Sequence, residues 1–217
     1  MRRPVEAVVW DLDGTLVDSS IVVPDAFVAA VTELGGPPCG REDVIAAYDL
    51  GPPPAVLSHL LKRPAGDDDV ALYHRHLART VVTVRAYPEV ESVLEALGSR
   101  YPMAVFTGAS RGAADMLLDH SGLGRYFYHV VSGDDTEHPK PHPDGLHKVS
   151  ASMEIATNRM LYIGDSPLDA EAARRAGSYA AAAAWGHLHQ PGVDVDVVCV
   201  RPSEIVTWVE AAAAADE

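Results

Sequence analysis

Six polar side chains follow segments of this sequence that are typical of short buried strands. The first of these segments, residues 5–10, is an apolar run that leads directly into Asp11-Leu12-Asp13-Gly14. Ligands of parallel sheets bind at the carboxyl ends of the strands, so residues that follow several strands meet at one edge. We therefore expect four separate loops to bring one set of groups together, namely Asp11, Asp13, Thr107, Lys140, Asp165 and Asp169.

This combination of side chains is suited to phosphoryl transfer. Carboxylates that lie close together repel one another unless a cation joins them, and their hard oxygen atoms suit Mg²⁺. A carboxylate can also attack phosphorus and form an aspartyl-phosphate, which divides one difficult displacement into two. The Thr107 hydroxyl and the amides beside it can hold phosphate oxygens, and Lys140 can neutralise their charge.

The elements that must position these residues alternate between strand and helix after about residue 84. Strands are predicted at 5–10, 101–106, 127–131, 160–163, 180–184 and 195–200. Helices are predicted at 88–97, 110–120, 143–152 and 168–176, with a last helix from residue 203, and Gly122 and Gly177 serve as stop signals. The alternation predicts an α/β fold with a doubly wound, Rossmann-like parallel sheet.

Residues from about 24 to 82 differ, because their apolar positions recur at helical spacing. Three such stretches lie at 26–34, 56–61 and 70–77, and clusters of proline and glycine separate them. Nothing in this region is typical of a strand. We predict a small all-helical cap at 18–83, inserted after the first strand, and a catalytic core formed by 1–17 and 84–217.

Composition limits the classes of partner. The formal net charge of −14 argues against a nucleic-acid partner, since phosphate backbones attract basic surfaces. No apolar run reaches the roughly 20 residues that a membrane helix needs, and no segment resembles a signal peptide. Cys39 and Cys199 lack the spacing of a metal site and are predicted to be free thiols, so we expect a cytoplasmic protein without membrane contact.

Four motifs, in order, resemble those of the haloacid dehalogenase-like hydrolases. The run Asp-Leu-Asp-Gly-Thr-Leu-Val-Asp-Ser from Asp11 is similar to the first signature, and Gly-Asp-Ser-Pro-Leu-Asp from Gly164 to the fourth. Thr107-Gly108 and Lys140-Pro141 are similar to the second and third. The resemblance covers nearly the whole chain and is closest to the phosphoglycolate phosphatase-like branch, which has a small helical cap.

For the reacting groups, this resemblance implies specific roles. Asp11 is expected to be the nucleophile and a Mg²⁺ ligand. Asp13 is expected to act as general acid and base and to give its backbone carbonyl to the metal, and Asp165 to bind the metal directly. Lys140 is expected to bind the transferring phosphoryl group as part of the catalytic set.

The supporting residues are also implied by the resemblance. Thr107 and Gly108 are expected to bind the phosphoryl group, although Gly108 stands where asparagine is common in the family. Asp169 is expected to orient Lys140 or a metal-bound water, with Thr15 as a second supporting residue. The cap loop that contains Gly51 is expected to select the substrate.

The function that follows is a Mg²⁺-dependent phosphatase acting on a small phosphorylated metabolite of the phosphoglycolate or sugar-phosphate type. A phosphomutase similar to β-phosphoglucomutase is the main alternative, because it uses the same aspartyl-phosphate. A dehalogenase is a weaker alternative, since that branch lacks an acid at the position of Asp13. Both monomer and dimer remain open.

Overall fold

A parallel sheet forms the centre of the computed structural model, which describes residues 4–214. The strands of the described residues are β1 (Ala7–Trp10), β2 (Val17–Asp18), β3 (Arg85–Ala86), β4 (Met103–Phe106), β5 (His129–Val131), β6 (Met160–Gly164), β7 (Tyr179–Ala183) and β8 (Val197–Cys199). Six of them form one sheet in the order β5-β4-β1-β6-β7-β8, and every neighbouring pair is parallel. β1 is therefore central, with β4 and β6 on either side.

Helices connect these strands. They are α1 (Val22–Glu33), α2 (Arg41–Ala46), α3 (Pro53–Leu61), α4 (Asp67–Thr80), α5 (Val90–Gly98), α6 (Arg111–Ser121), α7 (Asp144–Met153), α8 (Pro167–Ala176) and α9 (Ser203–Ala214). Gly122 and Gly177 end α6 and α8 in the left-handed conformation, as the sequence predicts.

The central strands β1, β4 and β6 are buried on both faces, which explains why they are apolar without alternation. In β1, Val8 and Trp10 belong to one hydrophobic core, and Ala7 and Val9 to another. Helices α5, α6 and α9 contribute to the first core, and α7 and α8 to the second. The predicted α/β fold with a Rossmann-like parallel sheet is therefore confirmed.

Between β2 and β3 the chain forms helices α1 to α4. They pack through their apolar faces, and the rings of Phe27 and Tyr73 stack with centroids 4.0 Å apart. β2 and β3 pair antiparallel, with Val17 opposite Ala86, so the chain enters and leaves this helical region side by side.

Some predicted boundaries were wrong. The helix predicted from residue 88 begins at Val90, because Glu89 adopts a left-handed conformation with φ of 70°. Helix α2 was not predicted, since Val44 is its one buried residue and it shows little apolar periodicity. The pair β2–β3 was also missed, because two-residue strands carry no readable pattern.

Two other sequence predictions concern the chain as a whole. Cys39 and Cys199 are both free, as predicted. Among the described residues, no helix is long and apolar enough to cross a membrane.

Gly145 of α7 offers a test of how tightly the second core is packed. A Cβ atom there lies 2.1 Å from Cε2 of Phe106, the last residue of β4. We expect Gly145→Ala to lower the free energy of unfolding by up to about 2 kcal/mol, because overpacking costs roughly 1–3 kcal/mol and the gain in helix propensity offsets about 1 kcal/mol of that cost.

Urea unfolding measures this change. Gly124→Ala is the control, since its added Cβ meets Leu118 Cβ at 3.8 Å, and its effect should stay within about 0.5 kcal/mol. Equal stability of both variants would contradict the tight packing of Phe106 against α7.

Candidate active site

The carboxyl ends of the central strands bring the predicted residues together. Asp11 follows β1 directly, Thr107 follows β4, and Asp165 follows β6. Lys140 lies in the loop between β5 and α7, and its side chain is 9% exposed. Asp11, Asp13, Thr107, Gly108, Lys140, Asp165, Asp169 and Gly51 all line one cavity of about 130 Å³.

The Lys140 ammonium group connects two of the carboxylates. Its Nζ lies 2.6 Å from Asp11 Oδ1 and 2.7 Å from Asp169 Oδ1. Burial lowers the pKa of Lys140, but the charges of Asp11 and Asp169 outweigh this and raise the pKa above its usual value. Lys140 therefore stays protonated in the buried site.

Asp169 is held by donors on both of its oxygens. Besides Lys140, the Tyr162 hydroxyl lies 2.8 Å from Oδ1, and the Ser166 hydroxyl lies 2.6 Å from Oδ2. Burial raises the pKa of Asp169, but Lys140 and the Ser166 hydrogen bonds lower it below the usual value. Asp169 thus holds the Lys140 ammonium group in place, and its supporting role in catalysis stays a prediction.

The carboxylate of Asp165 is placed differently. Its Oδ2 accepts the Leu188 N–H at 2.9 Å, while its buried Oδ1 has no hydrogen-bond partner among the described residues. Burial, followed by the charge of Asp169, raises the pKa of Asp165 to about 7. A buried oxygen without a partner is costly, so this atom is available to a ligand.

The backbone approaches Asp165 so closely at two glycines that no side chain fits there. A Cβ atom at Gly14, where φ is 78°, comes within 2.1 Å of Asp165 Oδ2, and one at Gly186 within 2.5 Å. Both positions therefore require glycine. The first motif and the loop after β7 consequently touch the same carboxylate.

The donor set fits a divalent cation. Carboxylate oxygens of Asp11, Asp165 and Asp169 lie within 4.8 Å of one another. The oxygens of Asp169 are already occupied, whereas Oδ1 of Asp165 and Oδ1 of Asp13 have no partners in the described part of the chain. Burial raises the pKa of Asp13. Mg²⁺ prefers oxygen ligands, and carboxylate oxygens whose charge is not yet compensated are well suited to bind it.

The remaining predicted residues surround this centre. Thr107 is buried, and its Oγ1 accepts the Ala109 N–H at 3.1 Å. Gly108 is exposed in the cavity wall, and a Cβ atom there meets nothing within 4 Å. Thr15 is buried, and its backbone oxygen accepts the Trp185 indole N–H at 3.0 Å.

Similarity to known proteins agrees with this geometry. Residues 8–183 match the family model of the haloacid dehalogenase-like hydrolases. The chain belongs to this family. A phosphoglycolate phosphatase from Aquifex aeolicus is 31% identical over 208 residues, which cover 95% of this chain and 97% of that protein. Another from Pseudomonas savastanoi pv. phaseolicola is 35% identical over 194 residues, which cover 84% and 70%.

Solved structures of haloacid dehalogenase-like proteins share the fold. CbbY from Rhodobacter sphaeroides, solved in complex with phosphate, has a TM-score of 0.82 at 18% identity, with 93% of this chain and 96% of CbbY covered. The predicted family, and with it the predicted class of enzyme, a phosphatase among the hydrolases, are confirmed.

Sequence reasoning missed several residues of this haloacid dehalogenase-like site. The sequence pattern places Tyr162 only within a predicted strand, although a hydroxyl group in an otherwise apolar strand is a usable signal. The Leu188 amide leaves no trace in sequence, because any residue except proline supplies it. Tyr48 and Tyr73 line the cavity from the helical region, and only the packing of α1 to α4 brings them there.

Replacement of Asp165 tests whether the site is built around a cation. Asp165→Asn removes one of four clustered carboxylates, so we expect the metal-free protein to gain about 1–3 kcal/mol in unfolding free energy. The same variant should lose the increase in melting temperature that millimolar Mg²⁺ gives the parent protein.

Thermal unfolding with and without Mg²⁺ measures both effects. Asp119→Asn removes an exposed carboxylate on α6 and should respond to Mg²⁺ as the parent does. An Asp165→Asn protein that keeps the full Mg²⁺ shift would show that this carboxylate does not bind the metal.

Proposed function

We propose that the protein is a Mg²⁺-dependent phosphatase that hydrolyses a small phosphomonoester through an aspartyl-phosphate on Asp11. The observation that carries this proposal is the pairing of Asp11 with Lys140 at 2.6 Å, beside an oxygen of Asp165 that has no hydrogen-bond partner within residues 4–214. The proposed nucleophile thus lies next to the Lys140 ammonium group and next to a second carboxylate whose negative charge is not compensated. Mg²⁺, held by Asp11, Asp165 and the Asp13 backbone carbonyl, would reduce repulsion between the nucleophile and the phosphate.

In the first step, an oxygen of Asp11 attacks phosphorus and the bond from phosphorus to the ester oxygen breaks. Lys140 already lies beside Asp11, so its ammonium group adjoins the phosphoryl group as the new bond forms. The Thr107 hydroxyl and the backbone at Gly108 line the same cavity and bind the non-bridging oxygens.

Asp13 acts as the general acid for the leaving group and as the general base for water. Its side chain lines the same cavity as Asp11, and its Oδ1 has no partner among the described residues. In the first step it gives a proton to the leaving oxygen. In the second step it takes a proton from water, whose oxygen attacks phosphorus and returns Asp11 to its free state.

Residues 18–83 act as a cap on the core formed by 1–17 and 84–217. Gly51 and Phe27 from this region line the same cavity as Asp11, which supports a role in enclosing and selecting the substrate. Paired β2 and β3 form both connections and provide a narrow joint for opening.

Phosphate release from a panel of phosphomonoesters, with and without Mg²⁺, tests the function. We expect turnover with Mg²⁺, loss of activity after chelation, and recovery when Mg²⁺ is restored. Asp11→Asn should reduce turnover at least about 10³-fold with every ester, because no covalent intermediate forms.

The control is Asp18→Asn, an exposed carboxylate of the same motif that should retain activity. Full activity of the chelated parent, or phosphorylation of the Asp11→Asn protein by substrate, would contradict the proposed mechanism.

A second experiment separates the role of Asp13 from that of Asp11. Alkyl leaving groups are basic and need a proton, whereas nitrophenolate leaves without one. Asp13→Ala should therefore lose nearly all turnover of alkyl phosphates. With nitrophenyl phosphate it should release at most one nitrophenol per site in a rapid burst and then stall, because water attack lacks its base.

Stopped-flow absorbance records the burst, and Mg²⁺ binding by the Asp13→Ala protein, followed by thermal shift, should match that of the parent. If both substrates slowed equally and no burst appeared, the general acid and base would be a different residue.

A further inference from the structure

The cavity next to Lys140 has a wall that is apolar and without charge. This wall comes from helices α1, α3 and α6 and from the loop after β7. Its side chains include those of Val23, Phe27, Pro53, Val56, Leu117 and Leu188. Since the phosphoryl group lies against Asp11, this wall faces the alcohol part of the ester.

Charges in the cavity are strongly unbalanced. Four carboxylates line it, those of Asp11, Asp13, Asp165 and Asp169. Among the described lining residues, Lys140 is the single lysine or arginine, and its ammonium group is already bonded to two carboxylates. A second negative group on the substrate finds no cation of its own, and an unpaired buried charge is costly.

Helix α3 begins at this wall but cannot act as an anion site. Free N–H groups at a helix N-terminus attract anions. Here the N-cap is Pro52, followed by Pro53 and Pro54, and proline has no N–H to donate. The next N–H, that of Ala55, is bonded to the Pro52 oxygen at 2.9 Å. Three prolines therefore remove the donors that would bind a carboxylate.

Uncharged hydrogen-bond donors line the cavity instead of cations or free helix N–H groups. Tyr48 and Tyr73 line the cavity, and burial, together with the negative charge of Asp13, raises the pKa of both phenols. Neutral phenol hydroxyls can bind a hydroxyl or carbonyl oxygen of the alcohol, while the rings contact its carbon atoms.

We propose that the preferred substrates are phosphate esters of uncharged alcohols, and that esters whose alcohol carries a carboxylate or a second phosphate are discriminated against. This inference rests on the proposed phosphatase function. It disfavours phosphoglycolate, the ester for which the two relatives described above are named. The discrimination arises because the carboxylate or second phosphate of the substrate would lie in the cavity without a cation to pair with.

A matched pair of substrates tests the inference on the unmodified protein. Phosphoglycolate and its primary amide differ by one charge at nearly constant shape, and phenyl phosphate adds an uncharged apolar alcohol. With Mg²⁺, we expect kcat/KM for the amide to exceed that for phosphoglycolate at least about 10-fold. Equal or higher kcat/KM for phosphoglycolate would overturn the inference while leaving the phosphatase function intact. Hydrolysis of none of the three would overturn both.

A charge placed in the wall provides the second test. Tyr48→Lys supplies a cation, and Tyr48→Met is a neutral control of similar length. We expect the lysine variant to reduce or reverse the preference for the amide and the methionine variant to keep it. Thermal unfolding verifies that both variants fold. A folded lysine variant with the parent's preference would overturn the electrostatic basis of the proposal.

Discussion

The buried contact between Lys140 and the carboxylates of Asp11 and Asp169 is the interaction on which the rest of the site depends. Removal of a lysine and two carboxylates from water is costly, and only close mutual pairing compensates for it. The pairing leaves the cluster short of positive charge, because Asp13 and Asp165 are also present. That deficit of positive charge is what a divalent cation would compensate, since carboxylate oxygens of Asp11, Asp165 and Asp169 lie within 4.8 Å of one another.

The parallel sheet makes this contact possible. Asp11 and Asp169 come from opposite ends of the sequence, and Lys140 from a loop that β5 holds at the edge of the sheet. Since β1 lies between β4 and β6, Asp11 is central and its partners approach from both sides. The Tyr162 hydroxyl lies 2.9 Å from the Phe106 oxygen and 2.8 Å from Asp169 Oδ1, so it links β4 to the charged cluster.

Much of this arrangement was predictable because its determinants are local. Apolar strands, glycine helix stops and polar residues just after strands are visible in the sequence, so the sheet and its functional edge followed directly. Interactions that depend on packing were not visible. The Leu188 amide, the tyrosines of the helical region and the left-handed Glu89 arise where distant segments meet. The second-motif glycine is a further case, since only the structure shows open space beside Gly108.

Asp169 also connects the charged cluster to helix α8. Its Oδ2 accepts both the backbone N–H and the hydroxyl of Ser166 and thereby caps α8, while its Oδ1 holds Lys140. One side chain therefore caps a helix and anchors the lysine. A change at this position would remove the helix cap and one partner of the buried ammonium group together, so the stability of α8 and the position of Lys140 are coupled through Asp169.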